Sequence, residues 1–168
     1  MPSKYLLMLF TFLIVSCGKL QPTNKEIEKA FQKVNNEKLW KELEEMVYMD
    51  QYYRGMISGL DRYSIHYQKQ KDSLLALQLT VDHKNTIRII EITEKYGLTN
   101  PERTGQPIGA WLILHHAPIE YHKKIKPLVE REFKARRMDS ITYGLLNWTL
   151  NGRKGIPEVP GLEIIDNR

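Results

Sequence analysis

The chain has 168 residues and a mass of 19.8 kDa, the scale of a single domain. With 42% hydrophobic and 27% charged residues it is not a disordered tail. One cysteine excludes an internal disulfide and a multi-thiolate zinc site, while a net charge of +5 and a pI near 9.2 permit an anionic partner.

The first segment is not expected to belong to the fold. Lys4 is followed by an uncharged stretch whose apolar core runs from Tyr5 to Val15. As a helix it would rise about 16 Å, roughly half of a bilayer's hydrocarbon core. That is the length of a signal-peptide core rather than of a membrane span. Ile14-Val15-Ser16-Cys17-Gly18 comes at its end and resembles the bacterial lipobox. The resemblance implies cleavage before Cys17, a diacylglycerol thioether on its sulfur and acylation of the new amine. Two or more acyl chains suffice for stable anchoring, at about 0.8 kcal/mol per buried CH₂. Residues 1–16 are therefore expected to be a lipoprotein signal peptide, 17–24 a lipidated tether and 25–168 one helical domain in the bacterial cell envelope. Removing the signal peptide takes Lys4 away, leaving 24 cations against 20 acids, a side-chain charge of +4.

In the remainder the dominant period is helical. Thr23 or Asn24 can cap a first helix with Ile27, Ala30, Phe31 and Val34 on one face. Asn35-Asn36 loosens it. A second helix is expected over residues 37–59, with Leu39, Leu43, Met46, Val47, Tyr53 and Ile57 in a stripe. A third spans residues 69–96 and stops at Gly97. On it Leu75, Leu79, Thr86, Ile89 and Thr93 share one face, and Leu74, Val81 and Ile92 the next. Residues 98–107, with Asn100-Pro101, Gly105 and Pro107, read as a loop. Residues 108–116 are apolar around the circumference and predict a buried helix. Pro118 and Pro127 are expected to interrupt the chain beyond it. Leu128, Val129 and Phe133 carry a helical stripe to Arg137, and Asp139 or Ser140 caps a last helix through Leu150. Asn151-Gly152 ends it. The tail is irregular, with Glu163-Ile164-Ile165 able to dock as an extended piece. The fold class is all-α, a compact bundle of five or six helices with an irregular C-terminal tail.

Polar groups stand where these stripes ask for apolar ones. Asp50 lies seven residues after Leu43 and seven before Ile57, so it falls in the middle of its stripe. Arg54 follows at i+4, the favourable orientation for an acid–base pair. Asp82 lies in the same way between Leu75 and Ile89, with Asn85 three residues on. His116 and His115 end the apolar helix. A buried carboxylate costs several kcal/mol unless it is paired, so these groups are expected to meet in one cluster. Two explanations stay open: a structural network, with Asp50 on Arg54 and Asp82 on Asn85 or a tryptophan N–H, or a polar ligand pocket.

Asp50-Gln51-x-x-Arg54, Asp82-x-x-Asn85, Gly97 and Ala110-Trp111-x-x-x-x-His116-Ala117, taken together, resemble an uncharacterised bacterial helical family, domain of unknown function 6624. The resemblance covers roughly residues 39–150. It implies that Asp50, Gln51, Arg54, Asp82, Asn85 and His116 are a shared polar set, and it brings no known activity. The chain departs from the pattern at Trp148-Thr149, where an Asp-Arg pair is expected, and in lacking the closing Tyr-Gly-Thr-Gln. The departure at Trp148-Thr149 favours binding over catalysis.

Other chemistry finds less support. His115, His116, Glu120 and His122 are close in sequence, but Pro118 falls among them and there is no His-Glu-x-x-His, so neither metal nor cofactor is expected. No Gly-x-Ser-x-Gly or phosphate-cradling glycine loop is present. A basic segment begins at Lys123 and ends at Arg137, with seven Lys or Arg against two Glu. It reads first as a solvated helix face, then as a contact for anionic lipid or an envelope polymer, and not for nucleic acid. The reading that results is a binding or interaction domain built on the polar cluster. The alternative is a hydrolase-like enzyme using His116 with Asp50 or Asp82.

Overall fold

The computed structural model describes residues 21–35 and 37–161. The expected signal peptide, the lipobox-like segment with Cys17 and the Glu163-Ile164-Ile165 segment lie outside the described residues. What is described is helical, without a strand. The helices are α1 (Asn24–Val34), α2 (Glu37–Ser58), α3 (Tyr67–Tyr96), α4 (Pro101–Thr104), α5 (Trp111–His115), α6 (His122–Lys134) and α7 (Ser140–Leu150), with a 3₁₀ turn at Ile119–Tyr121. None is long and apolar enough to cross a membrane.

Local chemistry sets most of the ends. Thr23 caps α1 in a reciprocal box: Glu26 N–H donates to Thr23 Oγ1 at 3.3 Å and Thr23 N–H to Glu26 Oε2 at 2.8 Å. Asp139 caps α7 by accepting from Thr142 N–H at 2.8 Å. Gly97, at φ +76°, ends α3. The expected loop over residues 98–107 contains α4, one turn begun by Asn100 as cap and Pro101 in the first helical position, and closed by left-handed Gly105. The apolar helix expected over residues 108–116 is shorter. Ile108 and Ala110 are buried, but helical bonding starts only after Gly109. Pro127 does not interrupt α6, because the burial of Ile125, Leu128, Val129 and Glu132 holds the helix despite one missing N–H.

α2 and α3 form an antiparallel hairpin, and α3, about 45 Å long, is its spine. α1 packs on α3, α5 on α2, α3 and α7, and α6 on α3 and α7. The shared core holds Leu39, Leu43 and Met46 of α2, Ile89, Ile90 and Ile92 of α3, Ile113 and Leu114 of α5, Ile125, Leu128 and Val129 of α6, and Leu146 and Leu150 of α7. The expected stripes hold only over this half of the hairpin. Beyond Asp50 and Asp82, Leu75 and Leu79 are exposed and Tyr53 and Ile57 are only half-buried. The site residues therefore mark where the core stops.

A second buried polar assembly fixes the other end. Glu132 is sealed, with a side-chain exposure of 1%. It accepts from Leu98 N–H at 2.7 Å, from Arg137 Nε at 2.5 Å and Nη2 at 2.9 Å, and from Arg131 Nε at 2.8 Å. Arg137 also reaches Asn24 and Glu28 of α1, and Arg103 joins Glu28 while lying over the Phe31 ring. The segment from Lys123 to Arg137 is thus not simply a solvated face, because Arg131 and Arg137 are turned inward to a carboxylate.

Candidate functional site

Asp50 is the innermost group of the site, with 1% of its side chain exposed. Its Oδ2 accepts from His116 Nδ1 at 2.7 Å and from Gln51 Nε2 at 2.6 Å, and lies 3.6 Å from Arg54 Nε. Oδ1 is sealed and has no hydrogen-bond partner. The expected Asp50–Arg54 pair is therefore an ion-pair contact rather than the principal bond of either group. Arg54 instead crosses the hairpin: its Nη2 donates to Asp82 Oδ1 at 2.7 Å. Gln78, turned with its carboxamide oxygen to the guanidinium, accepts from both Nη atoms.

Five of the six sequence-predicted residues thus form one chain of contacts, His116 and Gln51 to Asp50, Asp50 to Arg54, Arg54 to Asp82. Asp82 and His116 are joined through Arg54 and Asp50. Asn85 takes another task. Its Nδ2 donates to Met46 C=O at 2.8 Å, tying α3 to the backbone of α2 one turn from Asp50, and it does not cap Asp82. Gln78 belongs to the cluster and carried a readable signal, since it lies four residues before Asp82 on the same face. Burial is the leading influence on Asp82 and raises its carboxyl above the ordinary range, against the opposing charge and hydrogen bond of Arg54.

The cluster is sealed on one side and open on the other. Arg54 and His116, with 27% and 17% of their side chains exposed, reach the wall of a cleft of about 280 Å³. The other walls come from His115, Ala117, Ile119, His122, Thr149, Gly152 and Arg153. Among the described residues no carboxylate lines it. Thr149 faces this cleft.

Hydrogen bonds fix the tautomers of its three imidazoles when neutral. Asp50 is an acceptor, so His116 carries its proton on Nδ1 and leaves Nε2 as a lone pair. Thr149 Oγ1 donates to Leu145 C=O at 3.0 Å, so it accepts from His115 Nδ1 at 2.9 Å. His122 Nε2 donates to Ala117 C=O at 3.1 Å. Burial, then the neighbouring His116, Arg153 and Arg54, lower the His115 pKa below its ordinary value, against the opposing charge of Asp50.

Arg153 was not legible as a site residue. It lies beyond the end of α7 with φ +57°, the left-handed region that side chains disfavour. Its N–H donates to Trp148 C=O at 2.9 Å, and Trp148 Nε1 holds the turn by donating to Gly155 C=O at 3.0 Å. A strained backbone thus places an exposed guanidinium at the cleft.

Among the described residues no three His, Cys, Asp or Glu side chains gather as a metal site. Glu120 turns to His83, 3.5 Å away, rather than to His116. A larger groove between α2 and α3, about 420 Å³, is lined by residues of both signs, among them Glu42, Met46, Lys84 and Arg88, and lacks a convergent set. Comparison with protein-family models, with curated proteins and with solved structures returned no match for this chain, so the resemblance to domain of unknown function 6624 rests on its motifs.

Proposed function

We propose that this chain is the helical ligand-binding domain of an envelope-anchored lipoprotein, held through Cys17, and that its ligand presents an anionic group to the cleft. One observation carries the reading. Two guanidinium groups and three imidazoles converge on an open concavity with no carboxylate among the described residues of its wall, while Asp50 is sealed behind Arg54 and His116 and Asp82 is buried against Arg54. A cluster that served only to hold helices together has no need of that opening. Arg54 is already paired with Asp82 and with Asp50, which leaves Arg153 as the stronger anion contact in the cleft wall. On α6 and just beyond its end, the basic segment keeps Lys123 and Arg136 exposed as further contacts for anionic lipid or an envelope polymer. A hydrolase-like role for His116 is the second reading. What favours it is the 2.7 Å bond to a sealed carboxylate, and Asp50 rather than Asp82 is then the partner.

The test is titration with inorganic phosphate, followed on the histidine ring resonances. Saturable shifts of His115, His116 and His122 are expected, with His66 and His83 unmoved. Arg153→Gly should weaken binding about tenfold or more, as loss of a charge-assisted contact does. The same substitution relieves left-handed strain and should stabilise the fold by about 1 kcal/mol. Shifts that never saturate, or binding unchanged in Arg153→Gly, would refute the anionic-ligand reading.

A further inference from the structure

We infer that His116 is a phosphoryl acceptor: its Nε2 takes a phosphoryl group from a phosphate-ester or phosphoramidate donor held by Arg153 and Arg54. The inference rests on the anionic-ligand reading above and names the chemistry of that ligand.

Three observations lead to it. The first is the tautomer. Asp50 Oδ2 holds the proton on Nδ1, so the lone pair is on Nε2, and no side chain among the described residues engages that atom. The second is elimination. Among the described residues no serine or cysteine lines the cleft, and the Thr149 hydroxyl is committed to Leu145 C=O and His115. The ring nitrogens are the nucleophiles that remain, and His116 is the one backed by a carboxylate. That carboxylate is sealed, so it stabilises the positive charge the ring gains as Nε2 forms a bond. The third is the pair of guanidinium groups. A carbonyl developing one negative charge does not call for two, whereas a phosphoryl group carries more charge over several oxygens, which the Arg153 fork matches while Arg54, its Nη atoms turned to Asp82 and Gln78, adds positive charge.

The step balances without a metal or redox partner. The Nε2 lone pair forms the N–P bond as the bond from phosphorus to the leaving group breaks. The leaving group keeps that electron pair and takes a proton from water. The proton on Nδ1 stays on the ring against Asp50. Release is the reverse at phosphorus. Water attacks, the N–P bond breaks, and the electron pair returns to Nε2. His115, whose ring centre is 5.1 Å from that of His116 and whose Nε2 is a lone pair, is placed to take the proton of that water.

Incubating the whole chain with potassium phosphoramidate tests this. Intact mass should rise by one phosphoryl group, in an adduct labile to acid and stable to alkali. Phosphorus NMR should place it on the Nε2 position, and peptide mapping on His116. His116→Asn keeps an N–H for Asp50 and should abolish the label, with helicity by circular dichroism showing that it folds. Asp50→Asn should slow labelling about 10- to 100-fold, the usual loss when the group orienting a histidine is changed. His115→Asn should accept the label and release it more slowly. Label spread evenly over His66, His83 and His116, or none on His116, overturns the inference. If phosphate binds saturably while no label forms, the phosphoryl step falls and the binding site stands. If phosphate does not bind, both fall.

Discussion

Glu132→Gln is the sharpest probe of what holds this fold. The substitution keeps shape and volume and removes one charge. Glu132 is sealed and accepts four N–H bonds, three of them from the guanidinium groups of Arg131 and Arg137. A glutamine presents one oxygen and turns an NH₂ toward donors that have no acceptor left. Breaking a buried pair in this way costs about 3–5 kcal/mol, because the other charge stays buried and uncompensated. Against a total stability of about 5–15 kcal/mol that is a large share. The melting temperature of a domain this size should fall by roughly 10 °C or more. Urea unfolding at neutral pH followed by circular dichroism reads it directly, as a lower midpoint with an unchanged slope. The pH dependence supplies a second reading. Burial alone would raise the Glu132 carboxyl, but the hydrogen bonds from Arg137 and Leu98 N–H and the charges of Arg137 and Arg131 hold it below the ordinary range. A depressed folded pKa gives stability that is complete above the unfolded value, about 4.3, and is lost as pH falls through the folded one. The wild type should lose stability on that acid limb, and Glu132→Gln should lose less there. A loss under about 1 kcal/mol at neutral pH, or parallel acid limbs, would refute the reasoning.

Three further substitutions have definite expected outcomes. Asp82→Asn should cost little or nothing at neutral pH, because the raised Asp82 carboxyl contributes stability below the unfolded pKa of about 3.9 and loses it as pH rises through the folded value; comparing urea midpoints at pH 4 and pH 7 checks the sign. Gly97→Ala should destabilise by about 2 kcal/mol or more, since φ is +76° and a Cβ there lies 2.7 Å from Arg137 Nε and 3.0 Å from Glu132 Oε2. Combined with Glu132→Gln it should cost less than the sum, because both act on one network. Cys17→Ser should abolish labelling by an alkyne fatty acid and release the protein from membranes, and labelling that persists would remove the lipid anchor.

Much of this was legible in the chain. The 3.6-residue period marked the long helices, helped at α1, α3 and α7 by a capping residue before the helix or a glycine after it, at Thr23, Gly97 and Asp139. Asp50 and Asp82 stood out because they break such stripes, and they do meet through Arg54. What did not show was the choice of partner. Arg54 sits one turn from Asp50 in sequence but bonds Asp82, since crossing to α3 depends on how the hairpin pairs. Glu132 escaped for a different reason. It lies seven residues after Ile125 and four after Leu128, so the same stripe argument applies to it, but the run of lysines and arginines around it reads as solvated. Its burial is decided by Gly97 and Leu98, brought from the far end of α3. Arg153 had no periodic signal at all, because a turn beyond the last helix places it.

Two of the three buried carboxylates among the described residues, Glu132 and Asp82, belong to separate networks and meet different demands. Glu132 and Asp82 both face guanidinium groups, yet their carboxyls are shifted in opposite directions. Glu132 has all its partners inside the protein, a backbone N–H among them, and its network fastens α1 to α3 and α6. Asp82 must share Arg54 with Asp50 and with the cleft, and the nearby negative charge of Asp50 adds to its burial. A fold that needed only to hold α2 to α3 would do better with two apolar residues there, since replacing a buried ion pair by well-packed side chains is often neutral or stabilising. Keeping two carboxylates at the border of the core is a cost that the hairpin does not require. The cost is understandable if Arg54 and His116 must stand charged or correctly protonated at the wall of the cleft, and that is where the cluster opens to solvent.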